Sequence, residues 1–550
     1  MEVKPPKDHS PSPPGTPQDK PDSHHLTDIK LYIILFGVAI ATFLISLDTS
    51  ITATAIPAIT SGFHTSSDIG WYGAAYPLTM CTLQPFAGKV ATIFSLRASY
   101  LLFFGIFLLG SLLCGVANSS IMFIIGRAIA GIGGSGVVSG GLLVIALVTQ
   151  AEDRPLFTGL IIACYSLGMV IAPIIGGAFT SHVTWRWCFL INLPAGAVTA
   201  ITLALFVRPP KSPMTPSESF GKRIGQLDLL GCALFVPSII MVFLALQWGG
   251  NEHPWNSATI IGLFVGFAGT ILLFIPWEIR RGEHAMIPFT LLKGRSVALS
   301  IIFGLLLTGA FVIPNYYLPE WFQIIKDASP MRSGIMLLPA VLTQVFGAIV
   351  SGVLAKRVKY YNPWSILGSA LLCIASGLYT TFTPFSTTDA EWIGFQILQG
   401  LGCGFAAQMA LLTVQNELRN RPAIVPIGIS TVLFAQYFGS SVVQTIASSI
   451  FRNKLIDGFR GGVGLDETGV AVLLEAGNLK VRETAMELFP EKWEAAIGAY
   501  NDAITTVFYL AVTASALACV LSAGSKWTNI ALAEAGEAAQ NEEERGEAKL

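Results

Sequence analysis

The amino-acid sequence predicts an all-α polytopic membrane protein with about fourteen transmembrane helices. The chain of 550 residues is 53% hydrophobic and only 12% charged, about half the charged fraction of a soluble globular protein. Apolar stretches of roughly 20 residues, the length that a helix needs to cross a bilayer, recur along almost the whole chain.

Each apolar stretch is assigned as one span. The spans are predicted near residues 31–56, 69–88, 98–117, 121–148, 156–180, 188–207, 227–247, 258–277, 296–318, 333–355, 364–383, 392–416, 424–450 and 502–522. Residues 1–30 are polar and Pro-rich and are predicted to form a disordered tail, and the apolar run after them is too long for a cleaved signal peptide. Residues 523–550 are predicted to be a second, charge-rich tail.

The distribution of basic residues predicts the orientation. An even number of spans puts both termini on one side, and the short loops on that side contain sixteen lysines and arginines: Lys89, Arg97, Arg154, Arg208, Lys211, Lys222, Arg223, Arg280, Arg281, Lys293, Arg295, Lys356, Arg357, Lys359, Arg419 and Arg421. The opposite short loops contain three: Arg186, Lys326 and Arg332. Because cytosolic loops are enriched in Lys and Arg, both termini are predicted to be cytosolic and the long loop 452–500 to lie outside.

The chain contains a weak internal repeat. The segment Gly88–Arg97 after the second span has a counterpart in Gly352–Lys359, and Arg127–Gly133 matches Gln396–Gly402. Repeated halves that enclose a site at the midplane are typical of secondary transporters.

The repeat predicts the domain organisation. A first half of six spans covers residues 31–208 and a second covers 296–522, including the loop 452–500. The linker 209–295 then contains two extra spans, 227–247 and 258–277.

Two charges, Asp48 and Arg127, lie inside apolar spans, where charged side chains mark functional sites. They are about nine and seven residues from the outer ends of their spans, roughly 10 to 13 Å at 1.5 Å per residue. The two side chains can therefore lie at the same depth in the membrane. Burial favours a neutral carboxyl group and a nearby cation favours a charged one. An Asp whose Arg partner comes and goes could therefore bind and release a proton; the alternative is a permanent ion pair that fixes spans one and four.

Small residues crowd spans four and five: Gly131, Gly133, Gly134, Gly136 and Gly140 in the former, and Gly168, Ala172, Gly176 and Gly177 around Pro173 in the latter. Small residues let helices approach closely, and proline permits a bend. One interpretation is that packing alone accounts for this pattern. The functional interpretation is that the bend and the close contact control leakage while the halves rock.

Polar and aromatic residues in or near the spans are candidates for a substrate cavity: Tyr76, Asn315, Tyr316, Gln344, Gln408, Gln436 and Gln444. Such a lining suits amphipathic, largely uncharged molecules. The alternative for each residue is a hydrogen bond between helices. Asn118 begins a glycosylation sequon in a very short outer loop.

Enzyme signatures are absent from the sequence, which has no GxxxxGK[ST] phosphate loop, no HExxH and no strand for a nucleophile elbow. No catalytic residue, cofactor, metal or nucleic-acid partner is predicted. Uphill transport would then draw on an ion gradient, and the chain is predicted to be a monomer in the lipid bilayer.

Five segments in order resemble the fourteen-span drug:proton antiporters of the major facilitator superfamily, over residues 31–522. The first is Leu47–Pro57, similar to the first-span signature, and the second is Gly88–Arg97, similar to the loop between spans two and three but with Thr92 and Ser95 in place of Asp and Gly. The third is Arg127 with Gly131 and Gly133, similar to the fourth-span motif implicated in proton coupling. The fourth is Gly168–Gly177, similar to the fifth-span antiporter motif with Ala172 replacing Gly, and the fifth is Trp185–Pro194.

This resemblance implies the major facilitator fold, with two six-helix halves and two extra central helices. It implies proton coupling at Asp48 and Arg127, an antiporter motif at Gly168, Pro173, Gly176 and Gly177, and a gating loop with Gly88 and Arg97, repeated at Gly352 and Arg357.

The Pro-rich tail and the long last outer loop resemble those of fungal members that export secondary metabolites, toxins or drugs. A proton-coupled exporter of small amphipathic organic compounds is therefore expected, with the plasma membrane as its location and the vacuolar membrane as the alternative. The alternatives are an importer or vacuolar carrier for siderophores or basic amino acids, and a membrane sensor that does not transport.

Overall fold

The computed structural model describes residues 28–63, 65, 68–150, 152–207, 220–250 and 252–527. These residues form helices and no β-strand. Fourteen long helices, numbered α1 to α14 in chain order, are Asp28–Phe63, Ile69–Ile93, Leu96–Gly115, Ser120–Val148, Arg154–His182, Asn192–Phe206, Leu229–Trp248, Ala258–Arg281, Arg295–Ile324, Leu338–Val358, Asn362–Tyr379, Asp389–Ala406, Val425–Asp457 and Trp493–Ala523. Shorter helices are Trp187–Leu190, Phe220–Gln226, Gly282–His284, Phe289–Leu292, Pro330–Met336, Met409–Glu417, Gly458–Gly462 and Glu467–Leu488.

Each predicted span coincides with one of the fourteen long helices. Within the described residues, twelve helical segments are long and apolar enough to cross a membrane. Helices α2 and α11 are not among these twelve, but they pack inside the same bundle, α2 against α4 and α13, and α11 against α12 and α14. The predicted fold class, an all-α polytopic membrane protein, is confirmed.

Polar side chains cap the N-termini of several helices where the chain turns. Ser95, Ser119 and Ser257 each accept a hydrogen bond from a backbone N–H in the first turn of α3, α4 and α8. Thr388 and Glu391 form a capping box at the start of α12. Because the first N–H groups of a helix have no partner within it, these side chains allow neighbouring spans to be joined by loops of a few residues.

The tails and the last outer loop differ from the predicted limits. Most of the predicted tails lie outside the described residues, although α1 already begins at Asp28. Helix α13 continues to Asp457 and α14 begins at Trp493. The predicted loop 452–500 is therefore shorter, and it contains the 22-residue helix Glu467–Leu488.

A buried polar contact explains the early start of α14. Asn501 interrupts the apolar pattern, so hydropathy starts the span after it. In the structure Asn501 is buried, accepts a hydrogen bond from Trp321 Nε1 at 2.9 Å and donates one to the Phe382 carbonyl at 2.9 Å. The amide is satisfied by protein rather than by water, so the helix can continue through this position.

The helices of the predicted first half meet those of the predicted second half along two pairs, α2 with α13 and α5 with α10. A Cβ at Gly88 of α2 would lie 2.9 Å from the Pro426 carbonyl oxygen of α13, and one at Gly352 of α10 would lie 2.6 Å from the Pro155 carbonyl oxygen of α5. Both glycines belong to the repeated segment. Helix alternation places both contacts at the face where α1 begins and α14 ends, here called the terminal face; the other is the opposite face.

We expect Gly133→Ala to destabilise the fold, because a Cβ there would lie 2.2 Å from the backbone nitrogen of Phe107 where α4 crosses α3. Overpacking of this kind costs about 1–3 kcal/mol. Thermal unfolding of the detergent-purified protein checks this. The matched control is Gly105→Ala on α3, whose Cβ would meet nothing within 4 Å, and equal melting temperatures for the two variants would contradict the packing argument.

Candidate functional site

Asp48 and Arg127 form an ion pair inside the first half. Arg127 Nη1 of α4 lies 2.5 Å from Asp48 Oδ2 of α1, and the two side chains are 1% and 0% exposed. The structure thus brings together the two charges that the sequence placed at one depth. Leaving either charge unpaired in this environment would be strongly unfavourable.

Asn192 completes the polar centre. Its Nδ2 donates hydrogen bonds to Asp48 Oδ1 at 2.9 Å and to Ser111 Oγ at 3.1 Å. The sequence reasoning assigned this residue no role, although it lies in the segment Trp185–Pro194. The available signal was an amide at the start of an apolar run, at the same end of its span as Asp48.

Aromatic rings surround the guanidinium group. The Arg127 Cζ atom lies 4.5 Å from the centroid of the Tyr76 ring and 5.7 Å from that of Phe189. Contacts of this kind favour a cation over the ring face. Arg127 Nε has no hydrogen-bond partner among the described residues, so the guanidinium retains a free donor that a rearranged carboxylate could use.

The predicted antiporter motif faces α1. A Cβ at Gly168 would lie 2.9 Å from the Phe43 carbonyl oxygen, and one at Gly176 would lie 2.2 Å from Thr54 Oγ1. These two contacts bracket the part of α1 that carries Asp48. Gly177 has nothing within 4 Å of its Cβ position, and Pro173 lies within the continuous helix α5.

Two ion pairs cross between the halves at the terminal face. Lys356 Nζ lies 2.6 Å from Asp153 Oδ1, and Lys359 Nζ lies 3.9 Å from Glu152 Oε1. All four side chains are partly exposed, so each pair contributes little by itself. The predicted gating residues Arg97 and Arg357 lie at the same face, and Arg357 is exposed in the last turn of α10.

A cavity of about 620 Å³ opens at the opposite face, between α2, α7, α9 and α13. Its lining residues are Ala74, Pro77, Leu78, Phe243, Leu246, Gln247, Gly249, Gly250, Trp255, Tyr316, Ser441, Gln444, Thr445, Ser448, Ser449, Arg452 and Asn453. The terminal face is therefore packed while the opposite face is open. One wall of the cavity comes from the extra helix α7 and the loop after it. The sequence analysis placed this helix in the linker and predicted no cavity residue there.

The structure places two predicted cavity residues in this lining, Tyr316 and Gln444. The amides of three others bond between or within helices: Asn315 accepts from Gln399 Nε2 at 3.1 Å, Gln344 donates to Cys403 Sγ at 3.6 Å, and Gln408 donates to Ser351 Oγ at 2.9 Å. Tyr76 is fully buried and faces Arg127, and Gln436 lies against Gly304 of α9. Asn118 is exposed in the loop between α3 and α4.

A bundle of long apolar helices with a buried polar centre and a cavity open to one face indicates a multi-pass membrane transporter. A family model described as "Major Facilitator Superfamily" matches residues 38–444. The chain belongs to the Major Facilitator Superfamily. Its members are transporters of small molecules, so the prediction that this chain is not an enzyme is also confirmed.

Named relatives cover nearly the whole chain. "MFS-type transporter poxA" of Penicillium oxalicum is 44% identical over 542 residues, which is 97% of this chain and 94% of that protein. "MFS-type efflux pump MFS1" of Trichophyton rubrum is 40% identical over 514 residues, 93% and 94% of the two chains. Among solved structures, the proton:xylose symporter XylE has a TM-score of 0.57 at 13% identity, covering 90% of this chain and 95% of that chain, which shows the shared fold.

The open cavity predicts one-sided access. Ser449→Cys, in the cavity lining, is expected to react with a membrane-impermeant thiol reagent added to the opposite face. Ser351→Cys on α10, 0% exposed, is the matched control and should not react. Labelling of wild type gives the background of the eight native cysteines, and faster labelling of position 351 than of position 449 would contradict the observed access.

Proposed function

We propose that this chain is a proton-coupled antiporter that exports small amphipathic organic compounds, such as fungal secondary metabolites, toxins or drugs. The observation that carries the proposal is the fully buried Asp48–Arg127 pair, next to a helix that also lines the open cavity. Relatives named as efflux pumps support the direction.

Helix α2 provides a physical route for coupling. Ala74 and Pro77 line the cavity, while Tyr76 between them covers the Arg127 guanidinium. A substrate that displaces α2 would therefore shift the ring against Arg127. In this mechanism Asp48 takes up a proton when Arg127 withdraws, because burial of an unpaired carboxylate favours its neutral form. When Arg127 returns, it favours the carboxylate and the proton leaves.

The chemistry of the cavity supports the substrate class. Phe243, Trp255 and Tyr316 offer apolar area, and Gln247 and Gln444 offer hydrogen bonds. Among the described residues that line the cavity, none is acidic. This lining disfavours basic amino acids as substrates, since a cationic substrate would be expected to need a buried acid.

The orientation is part of the proposal. The sixteen-to-three excess of basic residues supports a cytosolic terminal face. We propose the plasma membrane as the location, and the cavity then opens to the exterior. In this assignment the structure represents the state that releases substrate and accepts external protons. We also propose that the transporter acts as a monomer, because the polar centre and the cavity are both formed by residues of a single chain.

Asp48→Asn is expected to abolish substrate transport driven by an imposed pH gradient in proteoliposomes, because an amide cannot bind and release the proton. Substrate exchange without a gradient should persist, since the amide can still hydrogen-bond to Arg127. Fluorescent amphipathic dyes and fungal metabolites are the test substrates. The matched control is Asp502→Asn, an exposed carboxylate of α14, which should transport like wild type.

Three outcomes of this test would count against the mechanism. Gradient-driven transport that survives in Asp48→Asn would place the proton site elsewhere. Loss of exchange together with gradient-driven transport would indicate a fixed ion pair that only holds α1 and α4 together. A wild-type protein that transports none of the compounds would revive the sensor interpretation.

The contact between α5 and α1 predicts a second, separable effect. Gly176→Val should slow transport and increase proton leak, because the new side chain would separate α5 from α1 at Thr54. Gly177→Val, one residue further, should leave both unchanged, since its Cβ would meet nothing within 4 Å. Dye transport and passive proton flux in the same liposomes measure both effects, and identical behaviour of the two variants would refute a role for this contact.

A further inference from the structure

Two acidic side chains are buried together where the extra helix pair reaches the terminal face. Asp228 precedes α7 and Glu278 lies in the last turn of α8, and each is only 1% exposed. The pair is separate from Asp48 and lies outside the cavity described above. Buried carboxylates at such a position need an explanation, because each is costly unless it is paired or protonated.

Three of the four carboxyl oxygens have donors. Asp228 Oδ1 accepts hydrogen bonds from the Gly231 N–H at 3.0 Å and from Trp277 Nε1 at 2.8 Å. Glu278 Oε2 accepts from the Ile287 N–H at 2.8 Å, and Oε1 accepts from the Met286 N–H at 3.3 Å. Asp228 Oδ2 is buried and has no partner among the described residues.

The unpartnered oxygen faces Glu278. A Cβ built on Gly231 would lie 2.5 Å from Asp228 Oδ2 and 2.8 Å from Glu278 Oε1, so both oxygens press against the same glycine. The carboxyl groups of Asp228 and Glu278 therefore approach each other at this glycine. Two carboxyl groups can share a hydrogen bond only if one of them carries a proton.

The nearby charges do not replace that proton. Lys89 Nζ of α2 is directed to the Ala285 carbonyl at 2.9 Å, and Arg281 Nε is 3.8 Å from Asp228 Oδ1, the other oxygen. Among the residues that the structure describes, the remaining titratable group that faces Asp228 is the Cys232 thiol of α7.

Apolar side chains surround the site. Met286, whose N–H binds Glu278, belongs to a buried cluster with Phe235, Ile239 and Phe274, and Phe86 of α2 packs against it. Water is therefore kept from the facing oxygens, which increases the repulsion that two carboxylates would feel.

We propose that Asp228 and Glu278 form a second proton-binding site, in which one proton is shared between Asp228 Oδ2 and Glu278 Oε1. Two facing carboxylates in a dry site cannot both ionise easily, so the pair titrates as a unit. The bound proton keeps Glu278 in place under the backbone of residues 286 and 287. Because Lys89 binds the adjacent Ala285 carbonyl, this site joins α2 to the extra helix pair at the terminal face.

Infrared difference spectroscopy of the full-length protein in nanodiscs tests the shared proton directly. Wild type is expected to show the carbonyl band of a protonated carboxyl group at neutral pH, which disappears on titration to alkaline pH. The band should be lost in both Glu278→Gln and Asp228→Asn, and retained in Glu283→Gln, an exposed acid of the same loop. Persistence of the band in Asp228→Asn would assign the proton to Glu278 alone and overturn the pair.

The pH dependence of thermal stability provides a second measurement. The folded site holds a proton that exposed carboxylates in the unfolded chain lack at neutral pH, so wild type should lose stability as the pH rises through the titration of the pair. Glu278→Gln can donate its amide to Asp228 Oδ2 and should lose this dependence, whereas Glu283→Gln should keep it. Equal pH dependence of the melting temperature in wild type and Glu278→Gln would overturn the proposal.

Both measurements are repeated in Asp48→Asn. No substrate or gradient is used, so the result does not depend on coupling through Asp48. The Asp228–Glu278 signals should be unchanged in that background, and their loss there would assign them to Asp48 instead.

Discussion

The buried pair of Asp48 and Arg127 is the interaction on which the first half depends. Two charges removed from water must meet each other, and the partners that satisfy them come from three helices: Asp48 from α1, Arg127 from α4 and Asn192 from α6. Their positions fix the relative depth and rotation of those helices. The glycine face of α5 then packs against α1 on either side of Asp48. The polar centre therefore determines how the small residues around it can be arranged.

Helix α2 connects this centre to everything else. It packs Tyr76 on Arg127, presents Pro77 to the cavity, approaches α13 at Gly88 and bonds through Lys89 to the loop after α8. The contact with the loop after α8 accounts for the buried Lys89 of this helix. A helix that faces protein on most sides has little need of lipid-facing side chains, which is consistent with its absence from the twelve most apolar segments.

Sequence reasoning predicted the bundle because the bilayer imposes a simple length and polarity rule, and it predicted the Asp48–Arg127 pair because charges are rare within spans. It did not predict where in the bundle the cavity lies. Of the polar residues proposed to line it, Gln344 and Gln408 bond to neighbouring helices, while Trp255 belongs to a loop between the extra helices. Which face of a helix meets a neighbour is a property of packing, and one sequence carries only a weak signal of it.

The extra helix pair has more than a spacer's role in this arrangement. At the opposite face it supplies Phe243 and Gln247 to the cavity wall, and at the terminal face it carries Asp228 and Glu278 beside Lys89 of α2. Helix α7 thus contacts α2 at the opposite face, and the loop after α8 contacts α2 at the terminal face. A rocking motion that opens the terminal face must separate α2 from α13, and α2 can do so only by moving with the extra pair or by breaking the Lys89 contact. A proton at the acid pair would favour movement of α2 together with the extra helix pair, because the proton preserves the loop that Lys89 binds.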